Sequence, residues 1–122
     1  LRLLALPLLL CLFCACGDRE DRLLLGEWQA TQVLEEGDSL KLDPTQVGFL
    51  FRPDNRYTFR STLRYEEAGT WRYTEGFLMA QDTTRADSPE RVVAVEKLTP
   101  DSLELRMLSE GKERWITLLR EK

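Results

Sequence analysis

Three cysteines, Cys11, Cys14 and Cys16, stand close together near the start of the chain, and so dense a cluster raises the question of metal or redox chemistry. Zinc or an iron–sulfur cluster needs about four donors converging in a setting that tolerates charge. Here three thiols lie in a Leu-rich run and the chain has no histidine, so no metal and no cofactor is expected. The carboxylate pairs, Glu35-Glu36 and Glu66-Glu67, read as neighbours on turns that point apart into solvent, whereas an acid–base pair must converge across a cleft. With His-based triads also excluded, the sequence reads as that of a non-enzyme. Arg52, Arg56, Arg60, Arg64 and Arg72 form a cationic stripe that could hold an anion. Interspersed threonines and the acidic excess of the chain favour a solvated outer strand face instead.

The cysteines make better sense as a processing signal. Residues 1–15 carry Arg2 as their one charge, whereas Gly17 to Arg22 carry five charges in six positions. The apolar run Leu3 to Phe13 has the length of a signal-peptide core and falls short of the roughly 20 residues that span a bilayer. Phe13-Cys14-Ala15-Cys16 resembles a bacterial lipobox. The resemblance implies a lipoprotein signal peptide over residues 1–15, a lipidated Cys16 with a charged tether over 16–22, and one domain over 23–122. Several acyl chains at Cys16 would hold the protein stably to a membrane. An ordinary secretory peptide cut after Ala15 would give the same mature chain without lipid, secreted or periplasmic. The expected location is the bacterial cell envelope, as an outer-membrane or surface lipoprotein. Without Arg2 there remain 16 basic against 21 acidic residues, so no nucleic-acid partner is expected.

Beyond the tether the hydrophobic period is two. Tyr57, Phe59, Leu63 and Tyr65 fall on one face of a strand and Thr58, Arg60, Thr62 and Arg64 on the other. Similar alternation predicts eight strands near 27–34, 47–52, 56–65, 70–74, 77–82, 91–98, 102–109 and 112–120, with no helical segment. Tight-turn residues at Pro53-Asp-Asn55, Glu75-Gly76, Pro100-Asp101 and Glu110-Gly111 separate several of them. Evenly spaced short strands favour an all-β fold, an eight-stranded antiparallel up-and-down meander that closes into a barrel. A two-sheet sandwich fits the same alternation.

Gly26-Glu-Trp28, Phe51-Arg-Pro-Asp-Asn-Arg-Tyr57, Gly69-Thr-Trp-Arg-Tyr73 and Leu98-Thr-Pro-Asp-Ser-Leu-Glu-Leu105 together resemble the small lipocalin-like domains of Bacteroidetes-type lipoproteins. The resemblance runs from about Leu24 to Arg120 and implies a binding role without catalysis. It also implies that Trp28 plugs one barrel end beneath a basic residue of the last strand, Arg120.

Trp28, Phe49, Phe51, Tyr57, Phe59, Tyr65, Trp71, Tyr73, Phe77 and Trp115 are all assigned inward by the alternation. They either fill the barrel or line a pocket, with Ser61, Gln81 or Thr117 as polar handles. The short turns at 53–55, 75–76 and 99–101 mark a closed end. The opposite end receives 35–46, 66–69, 83–90 and 110–111, and a mouth is expected there. Phe49, Leu63, Tyr65, Trp71, Met79, Gln81, Met107 and Trp115 are the candidate ligand contacts. The favoured expectation is a lipid-anchored protein that binds a small apolar or amphipathic molecule at the mouth. The alternative is a protein-interaction or inhibitor module with a filled core that meets an envelope protein through its loops. Interior volume separates the two.

Overall fold

The structure, a computed structural model, describes residues 21–121; the cysteines and the lipobox lie outside them. Nine strands follow one another: β1 (Gly26–Glu35), β2 (Asp38–Ser39), β3 (Gly48–Phe51), β4 (Arg56–Arg60), β5 (Glu66–Thr74), β6 (Phe77–Asp82), β7 (Arg91–Leu98), β8 (Ser102–Ser109) and β9 (Lys112–Arg120). From β3 onward each pairs antiparallel with the next, and β9 returns to β1 over a register running from Trp28 against Arg120 to Glu35 against Arg114. The sheet is therefore a closed eight-stranded antiparallel barrel. β2 is a short addition on the last two residues of β1.

Three hairpins turn on Glu-Gly pairs, Glu36-Gly37, Glu75-Gly76 and Glu110-Gly111, with positive φ at both residues, the geometry whose twist matches flanking strands. A fourth reverses without glycine or asparagine. β4 stops at Arg60, and the chain turns through Leu63 (φ 60) and Arg64 (φ 58), with the Tyr65 amide donating to the Thr62 carbonyl at 3.2 Å. The single strand expected over 56–65 is thus two strand ends and a turn. Residues 66–69, expected as a mouth loop, begin β5. The alternation misleads here because apolar and polar residues keep alternating through the turn.

The expected loop 35–46 is also built. β3 is too short to cover β1 beyond Gln29, and the segment after β2 takes over that edge: the Leu40 amide donates to the Val33 carbonyl, and the Ala30 amide to that of Val47. Leu40 and Leu42 pack on the core, and a 3-10 turn, Pro44–Gln46, is capped by Asp43, whose Oδ1 accepts from the Thr45 amide at 3.0 Å. This turn and the helical residues 21–24 are the helical pieces that the sequence did not signal. No helix among the described residues is long and apolar enough to cross a membrane.

Trp28, Phe51, Leu78, Leu103, Leu105 and Leu118 are fully buried in the barrel. Phe49 stacks on Phe51 at 5.5 Å and meets Phe59 at 4.7 Å, while Trp71 meets Phe51 edge-on at 5.4 Å. Bulges between Ala30 and Gln32 and between Val95 and Lys97 shift the ladder by one residue. Such shifts re-aim side chains that a strict alternation would assign to the other face.

Candidate functional site

Strand register decides what the open half of the barrel contains. Phe59 pairs with Glu67, Gly69 with Asp82, and Ala80 with Arg91, which turns Glu67, Asp82 and Arg91 toward the core face. Glu67 is 3% exposed, accepts from the hydroxyls of Tyr57 at 2.5 Å and Tyr65 at 2.9 Å, and forms an ion pair with Arg91 Nη2 at 3.1 Å. Asp82 accepts from the Thr84 amide at 2.8 Å and from Arg85 Nη1 at 2.7 Å. Arg85 also lies over the Tyr65 ring at 4.9 Å and donates to its hydroxyl, so Tyr65 and Arg85 join the two carboxylates into one network.

The network is closed on itself. Burial, then the hydrogen bond to Glu67 and its charge, pushes the Tyr57 phenol far above its ordinary value, so it stays a donor. The hydrogen bonds from Thr84 hold the Asp82 carboxyl below the usual range against the opposing effect of burial. Two hydroxyl donors and the Arg91 guanidinium thus surround the Glu67 carboxylate. This corrects the picture of Glu66-Glu67 as a solvated turn pair: on β5 Glu66 faces out and Glu67 in. The inward series Glu67, Gly69, Trp71 and Tyr73 runs two residues apart in the sequence, and a strand expected from 70 leaves its first two members out. Among the described residues no group of three potential ligands could hold a metal ion.

The void inside the barrel is about 40 Å³, bounded by Phe49, Phe59, Glu67, Arg91, Leu105 and Met107 among others. Pockets that bury a small molecule run to roughly 300–1,000 Å³. Of the eight candidate contacts, Phe49 and Met107 border this void, and Tyr65 approaches it through Glu67. The other five lie elsewhere. Leu63 is at the turn and 96% exposed. Trp71 points inward but at the closed end, where its Nε1 donates to the Arg52 carbonyl at 3.3 Å. Met79 and Gln81 alternate with the inward Leu78, Ala80 and Asp82 and so face out, and Gln81 donates to the Ser88 carbonyl. Trp115 alternates with the buried Ile116 and faces out, bonded to Glu113 at 2.9 Å. Phe77, also assigned inward, is 44% exposed.

At the closed end Arg120 lies over the Trp28 ring at 4.2 Å and donates to the carbonyls of Leu23, Leu25 and Pro100. Trp28 Nε1 donates to the Leu24 carbonyl at 2.9 Å. The helical residues 21–24 are thereby fastened across that end.

A depression of about 490 Å³ lies on the outer wall between Glu27, Leu50, Thr58, Arg60, Glu66 and Ala68. Arg60 crosses Gly48 to reach Gln29 Oε1 at 2.7 Å, and Gln29 donates in turn to the carbonyls of Pro44 and Val47. Its Nη1 is buried without a partner. The arginine stripe does not converge on one point. Arg52 pairs with Asp54 at 3.1 Å, Arg72 with Glu90 at 3.2 Å, and Arg56 reaches Thr83.

No family model matches the chain, and no curated protein matches its sequence. Among solved structures, a lipocalin-like protein from Bacteroides uniformis is similar with a TM-score of 0.58 and 20% identity, over 82% of this chain and 99% of that one. An uncharacterized protein from Bacteroides eggerthii is similar with a TM-score of 0.54 and 16% identity, over 80% of this chain and 98% of that one. At such identities the likeness concerns the fold: this chain is built as a lipocalin-like barrel.

Proposed function

We propose that this chain is a non-catalytic binding module of the bacterial cell envelope, anchored by lipid at Cys16, whose solid barrel is a scaffold for recognition at its open end. The observation that carries this reading is the interior void of about 40 Å³, which is too small for a ligand. The paired carboxylates and the absence of histidine support a role without catalysis. At the open end stand the 61–65 turn, with Leu63 and Arg64 exposed at its tip, and the exposed residues 83–87. Leu63 and Arg64 are both held at positive φ there although neither is a turn former, and backbone strain of this kind is found at functional sites.

A small apolar or amphipathic ligand is a second reading, favoured by the outer-wall depression with its Leu50 and Ala68 lining and the unpaired Arg60 Nη1 beside it. Native mass spectrometry of protein extracted from its own host tests both. The first reading expects a bound protein of defined mass. A retained small molecule at one per chain would contradict it and support the second.

A further inference from the structure

Two segments from different hairpins meet at the open end: the 61–65 turn between β4 and β5, and residues 83–90 between β6 and β7. Backbone bonding holds each of them separately. The Ser61 amide donates to the Tyr65 carbonyl at 2.9 Å, and the Tyr65 amide to that of Thr62 at 3.2 Å. In the second segment the Thr83 amide donates to the Ala68 carbonyl at 2.9 Å, and the Thr84 amide to Asp82 Oδ1 at 2.8 Å. Arg85 crosses from the second segment to the first. Its Nη1 lies 2.7 Å from Asp82 Oδ2, at the root of its own segment, and 2.9 Å from the Tyr65 hydroxyl, while the guanidinium covers the Tyr65 ring at 4.9 Å.

Both anchors of Arg85 are fixed from below. The Asp82 side chain is 4% exposed, and the Tyr65 hydroxyl donates to the buried Glu67 at 2.9 Å, whereas the Arg85 side chain is 49% exposed. A surface ion pair orders little when both partners are free to move. Here the partners are already held, so the planar fork of the guanidinium engages the carboxylate and the hydroxyl while its face rests on the ring. We propose that Arg85 is a clasp that makes the 61–65 turn and the 83–90 segment one surface, so that opening either loosens the other. The inference rests on the reading that recognition lies at the open end, and adds how that surface is kept ready. A partner that touches both segments meets them already ordered, which lowers the entropy cost of the contact. Arg85 is in this sense a positioning residue.

Amide hydrogen exchange of the purified full chain tests the clasp without any partner, so its failure and the failure of the recognition reading are separate results. Arg85→Ala should speed exchange about tenfold at Thr83 and Thr84 and also at Ser61 and Tyr65, with the core amides of Leu103 and Leu105 unchanged. Because coupling is reciprocal, Tyr65→Phe, which keeps the ring and removes the hydroxyl, should speed Thr83 and Thr84 about threefold although the change lies in the other segment. Arg85→Lys keeps a charge against the buried Asp82 and loses the planar face over Tyr65. It should leave Thr83 and Thr84 as in wild type and speed Ser61 and Tyr65. Faster exchange in Arg85→Ala confined to Thr83 and Thr84 would overturn the proposal, since Arg85 would then prop its own segment alone. So would a rise that Leu103 and Leu105 share, or Ser61 and Tyr65 unchanged in Arg85→Lys.

Discussion

Tyr57 shows how a single residue ties this barrel to pH. Its hydroxyl is 2.5 Å from Glu67, and burial together with that charge raises its pKa far above the usual 10. An unfolded chain releases the phenolic proton near pH 10 while the folded chain keeps it. The contribution of Tyr57 is therefore complete below pH 10 and declines as pH rises above it, by at most about 1.4 kcal/mol per pH unit. Tyr57→Phe should lower stability by about 1–3 kcal/mol at neutral pH, and denaturant melts across pH 9 to 11 should show the difference from wild type shrinking. Parallel alkaline limbs would show that the phenol is not held in this way. Trp28 belongs to the same scale: it is fully buried beneath Arg120, and Trp28→Ala should cost about 3–5 kcal/mol. A melt equal to wild type would remove it as a support of the closed end.

Among the elements, the 61–65 hairpin is the one whose local sequence and conformation disagree. Two-residue turns with positive φ at both positions favour Asn-Gly, and here they hold Leu63 and Arg64. Leu63→Asn with Arg64→Gly should raise stability by about 1–2 kcal/mol in thermal melts, because left-handed backbone costs about that much per ordinary residue. If wild type retains a protein partner in native mass spectrometry and the same variant loses it, the strained tip is what binds. Unchanged stability would mean that the turn carries no strain. Gly69 makes the opposite case: a Cβ there would run into the Gln81 carbonyl, so Gly69→Ala should disrupt the β5–β6 pairing and unfold the protein at a markedly lower temperature. The hairpin also marks where the sequence stopped being legible. Closure was readable because eight alternating runs have one good way to hide their edges, and Glu-Gly turns announce themselves. The 61–65 reversal was not, because its residues keep a strand's alternation and none is a turn former. The alternation puts Phe77, Met79 and Trp115 inward, whereas register puts them on the outside. Of the candidate contacts only Phe49 and Met107 reach the interior void, since the strands that carry the others turn those positions outward, end early or run to the closed end.

At the scale of the whole molecule, the chain enters the barrel at the closed end, where Leu23, Leu24 and Leu25 are bonded to Trp28 and Arg120. Only five peptide units separate Cys16 from Asp21, at most about 18 Å of extended chain. On the proposed anchoring, the closed end is thus held beside the bilayer and the Leu63 tip points away. Cys16→Ser should abolish labelling by a fatty-acid analogue; labelling that persists in this variant would place the lipid elsewhere. A quencher in the lipid should reach a probe at Asn55 far better than one at Asp87, and the reverse order would invert the orientation. The central claim is that the barrel is solid and recognition lies outside it. The two methionines of the chain are placed to test it, since Met107 borders the interior void and Met79 faces out from β6. Carbon-13 methyl spectra recorded while a medium-chain fatty acid is added should leave the Met107 resonance unmoved. A saturable shift at Met107 that persists in a Val92→Glu variant, which alters the outer depression Met107 also borders, with Met79 unchanged, would show a ligand inside the barrel and contradict the account.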